Sequence, residues 1–350
     1  MKVFAYYYPG FFNDTYRVSG TEWNVVKSAR PRSLKHDQPR VPSAGYYDQT
    51  DFDICCQQIK LASKYGIDGF MVCFYWDFET SKPVMNEPLE QLMKAIVGTE
   101  FQFNVMWVLR LPHKELPIQN GAYGKYQNHP WFKKRIQKYK HDEAFIHYLN
   151  DVTSHPNYRK DREGRSIVQV YSVSELLELH GEETVSIFEY FKKYHLQGVC
   201  GRSDEWISDA HQLGLSSLTT YVTLVDFNAA STVLAHKECV EEQPTVWKNI
   251  KKVSSIPFYP SVSSGWDASP RGSFEKGFRL RKFPWSPVVI DANPEDFGKN
   301  LQLAKKEIAN EDVDLHVASW NEWSEGHYVE PDLVHGTTFL EQIALLKKLI

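Results

Sequence analysis

The stretch DFDICCQQIKLASKYGIDGFMVCFYW, residues 51–76, joins a predicted helix to a predicted strand. Its first part, 51–66, repeats apolar residues at helical spacing from Ile54 onward and ends at Gly66, a residue common just after helices. Its second part, 67–76, is rich in β-branched and aromatic residues, which predicts a strand. A helix followed directly by an apolar strand is typical of α/β proteins with parallel sheets.

The same alternation continues along the 350 residues. The predicted strands are 2–8, 67–76, 101–109, 166–173, 197–203, 218–224, a part of 256–266, and 314–320. The predicted helices are 51–66, 87–98, 142–154, a segment up to about 194, 205–213, 230–252 with a break near Pro244, 294–310 and 338–350. Eight strands followed by helices predict a single (β/α)8 barrel domain over 1–350, with a long polar loop, 9–50, after the first strand. The alternative is a doubly wound open sheet, although no G-x-G-x-x-G follows the first strand.

Composition excludes several classes of partner. The net charge is −4, and lysine and arginine cluster only in short pieces such as KKRIQKYK, 133–140, which we interpret as a solvated helix face. We therefore expect no nucleic-acid partner. Aromatic residues reach 14%, with 10 Trp and 19 Tyr, which leaves two interpretations open: core packing, or stacking against the apolar faces of a ligand.

Cysteine usage and hydropathy bear on location. The five cysteines form no C-x-x-C pair, which is typical of thiols in a reducing compartment. The opening MKVFAYYYPG lacks the apolar segment of a signal peptide, and no apolar run approaches the ~18 residues of a membrane span. We expect a cytoplasmic protein without an integral membrane segment. No H-E-x-x-H, P-loop or G-x-S-x-G motif occurs, so we expect neither a metal nor another cofactor.

Candidate site residues follow from the barrel prediction, because barrel enzymes keep their active sites at the C-terminal ends of the strands. The candidates at those ends are Tyr7, Tyr8, Tyr75, Trp76, Arg110, Trp266, Asp267, Trp320, Asn321, Glu322, Trp323 and Glu325. The long first loop adds Glu22, Trp23, His36 and Arg40, and the last motif adds Tyr328. Rings that stack on sugar faces, together with charged partners for hydroxyls, indicate a carbohydrate substrate.

The segment VASWNEWSEGHYVEPD, 317–332, holds the most specific candidates. Glu322 and Glu325 are three positions apart, which places their side chains roughly 5–6 Å apart in a helical turn and on opposite faces in a strand. The first arrangement is compatible with retaining glycosidases, whose two carboxyl groups lie ~5–5.5 Å apart. Burial between Trp320 and Trp323 would raise the pKa of one glutamate. An acidic loop without catalytic function is the alternative.

Several ordered motifs resemble the WbsX-type proteins of bacterial surface-polysaccharide loci, which are annotated with glycosyl transfer and related to family-99 glycoside hydrolases. The motifs are YYPGFFNDTY, TEWNVVKSARP, HDQPRVPSAGYYD, ASKYGIDGFMVCFYW, GWDASPR and WNEWSEGHYVEPD. The resemblance implies a (β/α)8 barrel that acts on glycans. It also implies that Glu322 assists attack by the sugar's own 2-hydroxyl and that Glu325 is the general acid/base.

One segment departs from the family pattern, and three interpretations of the function stay open. MWVLRLPHKE, 106–115, places Arg110 where the family often has an Asn-Glu-Asn-Trp group. The first interpretation is glycosyl transfer in bacterial surface-polysaccharide synthesis. The second is a retaining endo-acting hydrolase on α-mannan-like chains, and the third is a barrel that binds glycans without catalysis.

Overall fold

The structure, a computed structural model, describes residues 1–18, 20–33, 35–118, 139, 142–227, 231–272 and 283–348. Its main sheet contains the strands β1 (Val3–Tyr7), β2 (Gly69–Asp77), β3 (Lys82–Val84), β4 (Gln102–Val108), β5 (Ile167–Tyr171), β6 (His195–Cys200), β7 (Ser217–Thr220), β9 (Phe258–Tyr259), β10 (Ser261–Ser263) and β12 (Leu315–Ala318). Neighbouring strands run parallel in the order β10-β12-β1-β2-β4-β5-β6-β7-β9, and β3 pairs antiparallel with β2.

Two short strands, β9 and β10, together fill the place of the seventh barrel strand, and Pro260 lies between them. The first of these short strands pairs with β7 and the second with β12, so one continuous segment joins the two ends of the sheet. Proline has no N–H to donate, which interrupts the ladder, but the Pro260 carbonyl accepts from the His316 N–H at 3.0 Å. The predicted (β/α)8 barrel is confirmed, and the open sheet is not the fold.

Helices surround the barrel. They are α1 (Glu22–Ser28), α2 (Phe52–Lys64), α3 (Glu87–Ala95), α4 (Glu143–Thr153), α5 (Val173–His180), α6 (Glu183–Tyr190), α7 (His236–Val253), α8 (Pro294–Glu307) and α9 (Thr338–Lys348). The short strands β8 (Val233–Ala235) and β11 (Val288–Ile290) pair with each other, as do β13 (Asn321–Glu322) and β14 (His327–Tyr328). Among the described helices, none is long and apolar enough to cross a membrane.

Capping and packing explain why the segment before β2 forms the helix α2. The Asp51 carboxylate accepts from the N–H of Asp53 at 2.8 Å, which caps the first turn of α2. Ile59 and Ala62 then bury one face of this helix against the barrel. The helix therefore lies over the outer side of the sheet and leaves the strand ends free for a site.

Several predictions about elements were wrong. Residues 231–252, predicted as helix, contain β8 before α7 begins at His236, while residue 230 lies outside the described residues. The predicted break at Pro244 is absent, because a buried face runs on both sides of it from Val240 to Trp247 and holds the helix together.

Other segments were only partly predicted. The loop 9–50 contains the short helix α1, whose tryptophan and valines are buried, and 205–213 shortens to the 3-10 turn Glu205–Asp209. The strand predicted at 197–203 lies earlier, at His195–Cys200. Apart from Tyr139, the basic stretch 133–140 lies outside the described residues.

The barrel interior is polar and well paired. Gln169 donates to Gln197 at 2.9 Å, and Thr219 and His316 are hydrogen-bonded at 2.7 Å. Arg159 places its guanidinium 3.7 Å from the ring of Phe4 and is almost fully buried. Buried polar groups cost little only when they are paired, so this network supports the lower barrel and leaves reactive groups to its upper end.

We predict that Pro244→Ala stabilises the protein. Alanine restores an N–H within α7 and is the better helix former by up to about 3 kcal/mol, while the freer unfolded chain offsets about 1 kcal/mol. The free energy of unfolding in urea should therefore rise by about 1 to 2 kcal/mol. Glu241→Ala, on the exposed side of the same helix, is the control and should change it by less than about 0.5 kcal/mol. A lower stability for Pro244→Ala would contradict this account.

Candidate active site

A cavity of about 770 Å³ lies at the C-terminal ends of the barrel strands. This volume is within the range of small-molecule sites. The predicted candidates that line it are Tyr8, Glu22, Tyr75, Arg110, Trp266, Glu322 and Glu325. The cavity therefore gathers side chains from the first loop, from β2 and β4, and from the segments after the seventh and eighth barrel strands.

Local backbone geometry brings the two glutamates together. Glu322 ends β13, and Glu325 ends the following 3-10 turn, so the turn expected from their spacing is present. Gly326 then reverses the chain with φ +64°, where a Cβ atom would lie 2.8 Å from the Cβ of Asp267. A glycine is required there. Glu322, Glu325 and His327 consequently present one side-chain ligand atom each within 4.8 Å of one another.

Arg271, which the sequence analysis did not single out, lies directly against this pair. Its Nη1 contacts Glu325 Oε1, its Nη2 lies 3.4 Å from Glu322 Oε2, and its Nε lies 2.9 Å from Glu22 Oε1. The arginine stands in the motif GWDASPR, after the seventh barrel strand, and its position at a strand end was the available signal. Arg17 was missed as well, and its Nη2 lies 2.7 Å from Glu22 Oε2.

Tyr221 and Cys73 complete the surroundings of the glutamates. The Tyr221 hydroxyl donates to Glu322 Oε1 at 3.1 Å. The Cys73 thiol lines the cavity, and burial together with the charges of the two glutamates raises its pKa well above the ordinary value. Cys73 is therefore a neutral thiol at neutral pH and not an activated nucleophile.

The two glutamates have opposite pKa shifts. Burial, followed by the nearby charge of Glu325, raises the pKa of Glu322 well above its ordinary value. Burial alone would also raise the pKa of Glu325, but the Arg271 guanidinium and the hydrogen bond from His327 bring it below its ordinary value. Of the two, Glu322 therefore keeps a proton more readily, and Glu325 ionises more readily. Two carboxyl groups with different environments are the usual arrangement for acid and base in one site.

A metal ion would have to compete with Arg271. Glu322, Glu325 and His327 offer the right atom types at close spacing. The guanidinium already contacts both carboxylates, however, so the positive charge that a cation would supply is provided by the protein. With Arg271 against both carboxylates, these three side chains do not fit a metal ion.

Four predicted residues pack away from the cavity. The Tyr7 hydroxyl donates to Gln58 of α2 at 3.0 Å, and Trp76 donates to Asp142 at 3.2 Å, so both lie between barrel and helices. Trp320 is fully buried against Phe70, with ring centroids 5.3 Å apart. Asn321 is fully buried and accepts from the Tyr8 N–H at 2.8 Å, which connects the ends of the first and eighth barrel strands.

Trp323 supports the site from behind. Its ring stacks on Tyr328 with centroids 3.7 Å apart, and its indole N–H donates to Glu330 at 2.9 Å. Trp23 lies near it, with ring centroids 6.2 Å apart, and donates to a backbone carbonyl of the first loop. The indoles of the motif therefore fix the turn that carries the glutamates, whereas Trp266 is the predicted tryptophan that lines the cavity.

The first loop is fastened to the same turn through Asp267. His36 Nε2 and Gln38 Nε2 each lie 2.6 Å from Asp267 Oδ2, and Asp267 is fully buried. The Asp267 N–H in turn donates to the Glu325 carbonyl at 2.7 Å, while Arg40 donates to the Gly326 carbonyl at 2.8 Å. His36, Arg40 and Asp267 thus lie one layer behind the glutamates and hold their backbone.

Comparison with protein families places these motifs in context. The model of the family described as glycosyltransferase WbsX matches residues 3–343. Two proteins of Xanthomonas campestris pv. campestris, both called uncharacterized protein WxcX, are 25% identical across 96% of this chain and 48% of their own length. This chain therefore spans about half the length of the curated relatives it matches.

Two solved structures with a similar fold are a glycoside hydrolase and a protein described as glycoside hydrolase-like. A GH99 endo-alpha-mannosidase from Bacteroides thetaiotaomicron has a TM-score of 0.62 at 15% identity and covers 99% of this chain and 96% of its own. A glycoside hydrolase-like protein has a TM-score of 0.63 at 13% identity, with 99% and 93% covered. At these identities the likeness establishes the shared barrel fold. The resemblance inferred from the motifs is confirmed.

We predict that Asp267→Asn destabilises the protein in a pH-dependent manner. Burial alone would raise the pKa of Asp267, but the His36 hydrogen bond and the His36 and Arg40 charges hold it below its ordinary value. Such a carboxylate stabilises the fold above its unfolded pKa of about 3.9, and this contribution is lost as the pH falls below it. The free energy of unfolding in urea should drop by about 2 kcal/mol or more at pH 7, with a smaller difference at pH 3.

Asp291→Asn serves as the control for that measurement. Asp291 pairs with Lys35 at 2.8 Å, but both side chains are exposed, so its loss should change stability by less than about 0.5 kcal/mol. An equal effect of the two variants at pH 7 would show that Asp267 does not fasten the first loop.

Proposed function

The chain belongs to the glycosyltransferase WbsX family, and we propose that it transfers a sugar to a glycan acceptor during synthesis of a bacterial surface polysaccharide. Family and fold point to a carbohydrate-active enzyme. The observation that carries the finer proposal is the pair Glu322 and Glu325, placed within 4.8 Å at the cavity and given opposite pKa shifts. A structural acidic loop does not require that arrangement.

The proposed chemistry divides one proton between two carboxyl groups. The bond between the donor's anomeric carbon and its leaving oxygen breaks, and a bond from that carbon to an acceptor hydroxyl forms. The protonated glutamate gives its proton to the leaving oxygen, and the ionised one accepts the proton of the attacking hydroxyl. Attack by the sugar's own 2-hydroxyl, which the resemblance implies, would use the same two groups in two successive steps.

The charges in the site bear on which glutamate has which role. A general acid must approach the substrate protonated, and Glu322 is the member of the pair whose pKa is raised and which Arg271 contacts less closely. Glu325, ionised beside Arg271, is then the proton acceptor. This order is the reverse of the one that the family resemblance implies, and the proposal here follows the charges.

The cavity lining supports a carbohydrate ligand. Tyr8, Tyr75 and Trp266 contribute aromatic surface, and Arg110 and Glu22 contribute charged groups. Arg110 is paired with Glu175 at 2.5 Å at the end of the cavity formed by β4 and β5. We propose Tyr8, Tyr75, Arg110 and Trp266 as substrate contacts.

The cysteines Cys55, Cys56, Cys73, Cys200 and Cys239 are free thiols, which supports a cytoplasmic location.

Hydrolysis is the second candidate function, because carboxyl oxygens of Glu322 and Glu325 lie within 4.8 Å of each other, which is compatible with the close spacing of retaining glycosidases. The same site would then pass the sugar to water. Incubation with a glycoside, with and without added glycan acceptor, separates the two: transfer yields a longer glycan that depends on the acceptor, and hydrolysis yields free reducing sugar in both cases.

We predict that Glu322→Gln and Glu325→Gln each lower turnover by at least about 100-fold, because each removes one half of the proton transfer. Turnover should be measured on a panel of glycosides and sugar nucleotides with glycan acceptors. Glu307→Gln is the control, since Glu307 at the end of α8 pairs with Lys251 of α7, away from the cavity. Full turnover in both active-site variants would overturn the proposal, and glycan binding without turnover in the unmodified protein would favour the non-catalytic interpretation.

A fluoride leaving group distinguishes the two roles. Fluoride departs with little help from an acid, so the variant that lacks the proton donor should recover activity on the glycosyl fluoride of the accepted sugar. We expect Glu322→Gln to recover at least about 10-fold relative to the ordinary glycoside, and Glu325→Gln to show no recovery. Recovery of Glu325→Gln alone would restore the roles that the resemblance implies.

A further inference from the structure

Arg271 lies among three carboxylates that come from distant parts of the chain, Glu22, Glu322 and Glu325. Each nitrogen of its planar guanidinium faces a different one. Nε faces Glu22, Nη1 faces Glu325 and Nη2 faces Glu322. The side chain is 12% exposed, so these contacts are screened little by solvent.

We propose that Arg271 is a positioning residue that keeps the negative charge of the glutamate pair on Glu325, and that Glu22 of the first loop holds the guanidinium in the orientation this requires. The inference rests on the proposed role of the pair and adds the group that decides how the pair shares its proton. Through Glu22, the long first loop would then contribute a positioning residue to the site.

The contacts of the guanidinium are unequal, which is the basis for the assignment. Nη1 is in close contact with Glu325, whereas Nη2 approaches Glu322 only to 3.4 Å. Interaction energy between charges falls with distance, so the closer carboxylate is the better place for the negative charge. Glu322 instead accepts from the Tyr221 hydroxyl at 3.1 Å, a neutral donor.

Glu22 is fixed on both of its oxygens. Oε1 accepts from Ser324 Oγ at 2.6 Å and from Arg271 Nε at 2.9 Å, and Oε2 pairs with Arg17 Nη2 at 2.7 Å. Its side chain is 1% exposed. Because a guanidinium is a rigid fork, anchoring its Nε edge determines where both Nη atoms point. Glu22 thus aims the Nη edge of Arg271 at the catalytic pair.

Other titratable groups also face the pair, from each element packed against it. The groups that are neutral at neutral pH are Tyr8, Cys73, Tyr75, Tyr171 and Tyr221, whose pKa burial raises. His327 lies 3.2 Å from Glu325, and burial lowers its pKa, so it is a neutral donor there. Arg17 and Glu22 offset each other at 2.7 Å. Of the described groups, Arg271 is therefore the cation that contacts both glutamates.

The test follows the carboxyl groups directly and needs no substrate. Protein labelled with ¹³C at the glutamate carboxyl carbons is titrated by NMR without ligand, and the Glu322 and Glu325 signals are assigned with Glu322→Gln and Glu325→Gln. In the unmodified protein Glu325 should titrate below Glu322. In Arg271→Met the Glu325 midpoint should rise by about 1 to 3 pH units, because the adjacent positive charge is gone. Arg271→Lys keeps the charge without the fork and should give an intermediate midpoint.

Two further comparisons separate positioning from a general effect. Both Glu22→Gln and Glu22→Ala remove a negative charge near the pair, but only glutamine keeps an oxygen for Arg271 Nε, so the Glu325 midpoint should be higher in the alanine variant than in the glutamine variant. Arg165→Met removes a guanidinium paired with Asp161 at the opposite end of the barrel, and should leave both midpoints unchanged.

Unchanged Glu325 midpoints in folded Arg271→Met and Arg271→Lys would overturn this inference, and equal midpoints in the two Glu22 variants would remove Glu22 from it. Its failure is distinguishable from failure of the proposed function. Full turnover in Glu322→Gln and Glu325→Gln sinks the function whatever the titration shows. Loss of turnover in those variants with no shift in Arg271→Met sinks only the role of Arg271.

Discussion

The buried charge cluster around Arg271 is the constraint on which the upper end of the barrel depends. Glu22, Glu322 and Glu325 are each 12% exposed or less, and a buried carboxylate without a partner is strongly unfavourable. Arg271 and Arg17 compensate them, and these two arginines come from the loops after the seventh and first barrel strands. The loops after strands one, seven and eight must therefore fold together, because Arg271 of the seventh loop compensates carboxylates of the other two.

A second buried contact reinforces the same three loops. Asp267 holds His36 through its side chain and Glu325 through its backbone N–H, so the first loop and the glutamate turn share one anchor. This double connection explains why a loop of about 40 residues can be ordered enough to deliver Glu22 to the site. The glutamate pair has an unequal environment, with the Arg271 guanidinium in closer contact with Glu325 and the Tyr221 hydroxyl beside Glu322. Acid–base chemistry at neutral pH depends on that inequality.

The barrel and the glutamate pair could be predicted from the sequence because both have local sequence signals. Alternating helices and apolar strands predict parallel pairing, and Glu322 and Glu325 lie three residues apart at the end of a strand. Arg271 could not be predicted in the same way, because its importance arises from contacts 53 and 249 residues away along the chain, to Ser324 and Glu22. Trp320 is the opposite case: its position beside a glutamate at a strand end predicts a place in the site, yet the local turn directs it into the core against Phe70. Which side of a turn a side chain takes depends on tertiary packing that spacing does not encode.

We propose that a glycan binds in the cavity with its scissile bond between Glu322 and Glu325. The most direct measurement is a crystal structure of Glu325→Gln with an oligosaccharide or glycoside that the unmodified protein turns over. We expect the glycosidic oxygen to lie within hydrogen-bond reach of Glu322, at about 2.6–3.2 Å. A sugar ring should pack against Trp266. A sugar bound outside this cavity, or one whose glycosidic oxygen faces neither position 322 nor position 325, would contradict it.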